Sequence, residues 1–363
     1  MAMRWVVLGV AGSKRTRGLR DACERVGRPA PVLVAWRDWL RDPACLAAAL
    51  SAPCVFKVEP PGDDAEVHHA LVARGAERLG RPVPPPAEPG ELAGTDLWFA
   101  GFSDAMDRLA ATLAQAPGAR PVNPPADILA MTDKLECQQR LQAAGVPVPR
   151  LLGPVADHAA FVARLDAAGL DRGWLKARFG SSAAGVVAFR RNRRGQVSAT
   201  TSAHLVHGGG GAPRLFNVKR VRSYHRPDEV RRVMDLVAAQ GAYAEAWVPK
   251  PRAGAGHFDL RLLALRGAPA HRVARIGERT VTNLHLDSRR ADPADLLDVS
   301  EIRLAEDTVR RAAAVFGGSG VIGFDLVVHG PRAHVLEANA FGDLLPGLRW
   351  GGRDPWDAAL EAA

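Results

Sequence analysis

Two carboxylates and an amide stand where a strand pair should carry apolar residues. In VIGFDLVVHGPRAHVLEAN, residues 321–339, two runs rich in Val, Ile and Leu flank a short turn; the first contains Asp325, the second Glu337 and Asn339. A hairpin turning at HGPR that sets Asp325 opposite Glu337 also puts Asn339 on the face of Glu337, because alternate strand residues share a side. Like charges facing each other across a ladder are destabilising, and apolar surroundings raise that cost. A cation removes both penalties. Two carboxylates and an amide oxygen, with no His or Cys beside them, suit a hard, oxygen-seeking ion. Magnesium favours one or two carboxylates completed by substrate phosphates, so the hairpin predicts a nucleotide.

A second segment offers the phosphate side. WLKARFGSSAAGVVA, residues 174–188, reads as two strands around a small-residue loop. Backbone N–H groups and hydroxyls of Gly180, Ser181, Ser182 and Gly185 can approach phosphate closely, and Lys176 adds a point charge. The order differs from a Walker loop, whose lysine follows the glycines and opens a helix. Taken alone, such a glycine-serine hairpin is more often only a turn. In AYAEAWVP, residues 242–249, Glu245 precedes Trp247 and Val248 on a strand. An adenine amine could meet the acid while the ring meets Trp247; an edge strand with a core tryptophan is the plainer alternative.

The elements that must hold these groups follow from apolar patterning. RWVVLGV (4–10), a helical pattern through Val26 and VLVAW (32–36) give a strand–helix–strand rhythm, the mark of an α/β domain with a parallel sheet. Ser13, Lys14, Arg15 and Thr16 stand in its first strand-to-helix loop, a ligand position in such sheets. The proline-rich RPVPPPAEPGELAG (81–94) predicts a long surface loop. A helical segment near 103–115 and PGARPVNPPADI lead to a first boundary close to residue 125. ILAMTDKLECQQRLQAAG then predicts a helix, with Thr132 or Asp133 as cap and Gly145 as stop. GGGG at 208–211 reads as a loop tip.

Taken in order, Lys134 with LQAAGVPVP, Lys176 with GSSAAG, EAWVP, FDLRLLAL, GFDLVV and LEAN resemble the ATP-grasp superfamily. Within it, the branch of ribosomal-protein glutamate ligases and glutathione synthetases is most similar, over roughly residues 125–347. The resemblance implies an α/β fold of the α+β grasp kind: a Rossmann-like pre-ATP-grasp domain (1–125), a lobe A with the phosphate-covering hairpin (126–240) and a lobe B with the metal hairpin (241–363). It implies ATP with Mg2+ or Mn2+, and an ADP-forming carboxylate–amine ligase working through an acyl phosphate. By position, Lys134 and Lys176 match the phosphate lysines, Gly180–Gly185 the covering loop, Glu245 with Trp247 and Val248 the adenine hinge, and Asp325, Glu337 and Asn339 the metal ligands. Asp259 and Arg261 match an element lying against the nucleotide and acyl phosphate; Arg275 and Asn283 resemble a catalytic arginine and asparagine that follow it. The ending AFGDLLPGL departs from the branch and leaves the substrates open. The partners implied are a small-molecule or peptide carboxylate and an amine acceptor. A macrocyclising peptide ligase, an ATP-grasp kinase and a non-catalytic nucleotide-binding subunit stay open, as does a homodimer.

Composition is consistent with this. No apolar run approaches the ~18 residues of a membrane span, and MAMRWVVLGVAG lacks the marks of a signal peptide. Four cysteines without a CxxC pair predict free thiols in a reducing cytoplasm. The net charge of +9 invites nucleic acid, but no aromatic ladder or recognition module accompanies the arginines, which argues against it. Attraction to an anionic ligand accounts better for the excess. Only six of the 48 basic residues are lysine and five residues are asparagine, so their positions are a weak pointer to sites that need a compact ammonium or a neutral carbonyl ligand, since drift leaves stray lysines too.

Overall fold

A computed structural model describes residues 3–362, apart from 63, 181–184, 207–211, 278–288, 343–344 and 346. The first apolar run forms β1 (Arg4–Gly9), paired in parallel with β2 (Val32–Ala35) and β3 (Cys54–Val58); β4 (Ala119–Pro121) completes the order β2-β1-β3-β4. Around this sheet run α1 (Lys14–Arg25), α2 (Trp36–Arg41), α3 (Ala44–Ala49), α4 (Ala65–Arg78) and α5 (Thr95–Ala114). The next stretch forms two helices where the sequence predicts one. Asp133 ends α6 (Pro125–Thr132) in an extended conformation, and its carboxylate then accepts from Leu135 and Glu136 N–H to cap α7 (Lys134–Ala143). The double use of one residue breaks the helix and places Lys134 at the first position of α7.

A six-stranded antiparallel sheet follows, in the order β5-β10-β6-β7-β8-β9. Its strands are β5 (Leu151–Val155), β6 (Arg172–Ala177), β7 (Val186–Arg191), β8 (Val197–Val206), β9 (Arg214–Tyr224) and β10 (Ala242–Ala246). Helices α8 (His158–Ala168) and α9 (Pro227–Ala238) cover one face. In α9, Val230, Val233, Met234 and Val237 recur at helical spacing and are all buried, with Leu175, Val187 and Phe189 beneath them. The opposite face carries a separate cluster of Trp174, Ala188 and Val221 bordered by Val186 and Trp247.

The third sheet joins β14-β13-β12-β15-β16, with β11 (Arg252–Ala253) paired to β12. The strands are β12 (Gly256–Leu265), β13 (Ala268–Gly277), β14 (Arg289–Ala291), β15 (Val321–His329) and β16 (Arg332–Asn339). Helix α10 (Val299–Val315) opens with a capping box between Asp298 and Glu301 and packs on this sheet. One continuous core runs from Val6 and Phe56 of the first domain through Met131 and Leu141 of α6 and α7 to Leu262, Phe324 and Val335, whereas the second sheet keeps a core of its own. Asn123 pins the shared body, its amide nitrogen donating to Val321 O and Ala340 O and its oxygen accepting from Val321 N. Helix α11 (Pro355–Ala362) returns to α1, where Arg25 pairs with Asp354 and Asp357. No helix among the described residues is long and apolar enough to cross a membrane.

The proline-rich segment is irregular, as expected, but it is docked rather than free. Leu92 N donates to Leu215 O at 2.8 Å and Asn217 N to Gly90 O at 2.7 Å, so the segment occupies part of the outer edge of β9. Arg214 clamps it with bonds of 2.6 Å to Glu88 and of 2.7 and 2.6 Å to the two oxygens of Glu91. Covering an edge strand removes a site of unwanted pairing. Arg214→Ala is expected to lower the midpoint of urea unfolding slightly, and less at high salt, since the clamp is partly exposed.

Candidate active site

The opening hairpin forms with Asp325 directly opposite Glu337 and Gly323 opposite Asn339. A β-bulge makes this register. The turn is the two-residue Gly330–Pro331 between paired His329 and Arg332, and the count from there sets Leu326 opposite Val335. Leu336 is then the extra residue, and the buried phase of β16 moves from Ala333 and Val335 to Ala338. Without the bulge Glu337 would point away from Asp325; bulges beside functional sites re-aim side chains in this way. Asn339 donates through its amide nitrogen to Gly323 O over a long 3.5 Å, so its carbonyl oxygen is the atom suited to meet a cation.

Arg261 of β12 lies opposite Asp325 on the other side, so Arg261, Asp325 and Glu337 form one row across three strands. Arg261 Nε is 2.9 Å from Asp325 Oδ1 and Arg275 Nη2 is 3.0 Å from Oδ2. Arg275 Nε also donates to Asp259 Oδ1 at 2.7 Å, and Lys250 Nζ donates to Asp259 Oδ2 at 2.8 Å. Burial pushes the Asp325 carboxyl up, against the pull of the two arginines. Burial acts the same way on Asp259, which is 2% exposed, yet Arg275 and Lys250 prevail and hold its carboxyl down at about 2. Burial lowers the Lys250 ammonium, countered by Asp259. The motifs quoted above do not include Lys250; the scarcity of lysine is the signal that marks it.

The other two lysines close the cleft from the opposite side. Lys134 Nζ is 3.0 Å from Glu337 Oε1 and donates to Gly180 O at 2.6 Å, which joins the β15–β16 hairpin to the start of the small-residue loop. Burial works against ionisation of Glu337, but Lys134 and then Arg261 hold its carboxyl below the usual range. The start of α7 is anchored to the same loop, with Lys134 N bonded to Arg178 O at 3.0 Å and Arg178 paired with Asp133. Gly185, at the loop's far end, has φ of +72°, and a Cβ there would fall 2.7 Å from that of Ala177, so only glycine closes the hairpin. Lys176 is paired with Glu245, which is 1% exposed and whose carboxyl burial drives up.

The strand β10 ends at Ala246, so Trp247 and Val248 lie in the linker towards β11. Trp247 stacks on Trp174 with centroids 4.7 Å apart, and the Arg190 guanidinium lies 4.6 Å from its centroid. Beside this stack, Val186, Ala188 and Val221 make an apolar floor next to Lys176. Ser181, Ser182 and Asn283 lie outside the described residues, as does the 208–211 stretch. The four cysteines are free thiols, and burial lifts Cys137, one turn beyond Lys134, to about 12. Arg15 is bonded to Glu59 at 3.2 Å and to the carbonyl oxygens of Phe341 and Gly342 at 2.9 and 3.3 Å, just past Asn339.

Four carboxylates of the cleft are each matched to a cation: Glu337 to Lys134, Glu245 to Lys176, Asp259 to Lys250 and Arg275, Asp325 to Arg261 and Arg275. Asp325 Oδ1 is nonetheless buried and accepts no hydrogen bond among the described residues, an arrangement that fits a metal ligand. A divalent ion taking Asp325 and Glu337 would turn Lys134, Arg261 and Arg275 towards an incoming anion. A metal polyphosphate satisfies both sides of that exchange.

No protein-family model matches the chain, and no curated protein matches it in sequence. Solved structures match in fold. The ATP-grasp ligase PsnB, complexed with a phosphomimetic variant of minimal precursor, Mg and ADP, gives a TM-score of 0.58 at 14% identity, over 99% of this chain and 96% of that one. The D-cycloserine synthetase DcsG gives 0.56 at 16% identity, over 99% and 97%. A D-alanine–D-alanine ligase from Bacillus anthracis gives 0.52 at 10% identity, over 100% and 96%. The likeness is one of fold and includes the first domain.

Proposed function

We propose, starting from the ATP-grasp fold of this chain, that it is an ATP-dependent ligase joining a carboxylate to an amine through an acyl phosphate, with release of ADP. The observation that carries this reading is the row Arg261–Asp325–Glu337 with Lys134 at its end, in which two facing carboxylates are flanked by a cation on either side. Asp325, Glu337 and Asn339 would hold magnesium, which supplies charge neutralisation for the phosphates when bound. Lys134 and Lys176 bind phosphate oxygens, and Gly180 to Gly185 with Ser181 and Ser182 cover them. The apolar floor of Trp174, Val186, Ala188 and Val221 receives the adenine ring, with Glu245 fixing Lys176 and the backbone at Trp247 and Val248 at its edge.

In the reaction a substrate carboxylate attacks the γ-phosphorus of ATP, ADP leaves, and the amine then displaces phosphate from the acyl carbon. Arg261 and Arg275 would stabilise the oxygens where negative charge grows on the tetrahedral intermediate; preorganised donors in that role are worth about 10²–10³ in rate. Asn283 is the further polar group assigned to that step. No side chain has to act as a nucleophile. Because the solved relatives include a ligase bound to a precursor and a D-alanine–D-alanine ligase, a peptide or an amino-acid-like carboxylate is the substrate class to try first. ATP supply places the reaction in the cytoplasm.

Oxygen-18 in the substrate carboxylate tests the chemistry once an acid and an amine that release ADP are found. Transfer of one label to inorganic phosphate is the expected result. Phosphate without label, or label retained while a hydroxyl is phosphorylated, would replace ligation by hydrolysis or kinase chemistry.

A further inference from the structure

Lys250 sits in the linker that carries the chain from β10 of the second sheet to β11 of the third, beside Trp247 and Val248. Its side chain is only 10% exposed and crosses to β12, while its own carbonyl oxygen meets His257 Nδ1 at 3.3 Å. Asp259 divides its oxygens: Oδ2 takes Lys250 Nζ at 2.8 Å and Oδ1 takes Arg275 Nε at 2.7 Å. Arg275 Nη2 is thereby left 3.0 Å from Asp325 Oδ2. A guanidinium facing an unshared carboxylate closes a two-bond fork on it. The ammonium of Lys250 occupies the oxygen that such a fork needs. Buried ion pairs are often no more stable than well-packed apolar groups of the same size, so stability is a poor reason for placing this lysine here.

We infer that Lys250 is a positioning residue: by holding Asp259 Oδ2 it prevents Arg275 from closing bidentately on Asp259, and so keeps the Arg275 guanidinium at Asp325 and the phosphoryl site. The inference rests on the ATP-dependent reading and adds to it a link between the adenine-side linker and the arginine that faces the transferring group. Lys250 touches neither nucleotide nor metal in this scheme. Its removal therefore spares the ground-state complex and weakens the one resembling the transition state, which tightens on interactions made only there.

The test titrates MgADP, and MgADP with orthovanadate as mimic of the phosphoryl group in flight, into wild type, Lys250→Met, Lys250→Arg and the double variant Lys250→Met/Asp259→Asn. For Lys250→Met, MgADP affinity is expected within about threefold of wild type and the vanadate complex about tenfold to a hundredfold weaker. Lys250→Arg, which keeps a cationic donor, should recover most of that loss. The double variant removes the carboxylate that would capture Arg275, so its vanadate complex should recover to less than about tenfold weaker than wild type; it also serves if the single variant fails to fold. Equal weakening of both complexes in Lys250→Met, no weakening in either, or a double variant that folds yet stays tenfold weak overturns the assignment. A wild type that binds no MgADP overturns the proposed function and this inference with it.

Discussion

Lys176→Met is expected to destabilise the protein by roughly 3–5 kcal/mol, the cost of leaving one member of a buried ion pair without its partner. The stranded group is Glu245, which is 1% exposed and whose carboxyl burial already drives above its usual range against the pull of Lys176. Without the lysine the folded-state pKa of Glu245 rises further above the unfolded value. A carboxyl raised on folding leaves stability intact below its unfolded pKa and removes it as pH rises through the folded one. The deficit should therefore be larger at pH 8 than at pH 5 in urea unfolding. Adding Glu245→Gln removes the titrating group, so the double variant should recover most of the loss and show no such slope. A deficit equal at both pH values would mean that Glu245 is not the group left stranded.

Glu337→Gln is expected to leave the fold intact, because the side chain is 30% exposed and lies at the cleft, while nucleotide affinity in magnesium falls about tenfold to a hundredfold. That range corresponds to about 1.4–2.8 kcal/mol. Without magnesium the sign should differ. Lys134, no longer 3.0 Å from a carboxylate, becomes more available to phosphate, so metal-free ADP should bind as well as in wild type or better. Thermal shifts with ADP in magnesium and in EDTA read both arms, since ligand binding stabilises by mass action. A uniform loss in both conditions would place Glu337 outside the metal set.

The pairing at the centre of this site is legible in the sequence because Asp325 and Glu337 violate strand patterning and make sense only opposite one another. Its cause is not. The turn at Gly330–Pro331 sets a register that would put Leu336 opposite Asp325, and only the bulge, visible as a change of buried phase between Val335 and Ala338, brings Glu337 round. The cap at Asp133 is readable from residue type, but not that it both ends one helix and begins the next. Lys250 escapes motif reading because its partner is Asp259 across a linker and a hairpin. Three of the six lysines, Lys134, Lys176 and Lys250, prove to line one cleft, so scarcity of a residue type carried information that spacing lacked. Proline content foretells the irregular backbone of 81–94; its docking on β9 depends on Arg214, more than a hundred positions away, and no local rule reaches that far.

The fold shared with solved ATP-grasp ligases supplies the frame, and the row of Arg261, Asp325, Glu337 and Lys134, two carboxylates between two cations, supplies the claim that metal and phosphate bind together. Calorimetric titration of ATP into the protein, once in millimolar magnesium and once in EDTA, addresses that claim most directly. Saturable one-to-one binding at least tenfold tighter with magnesium is the result predicted, with Asp325→Asn abolishing the difference. Binding of equal strength with and without the metal, or no binding in either, would contradict it.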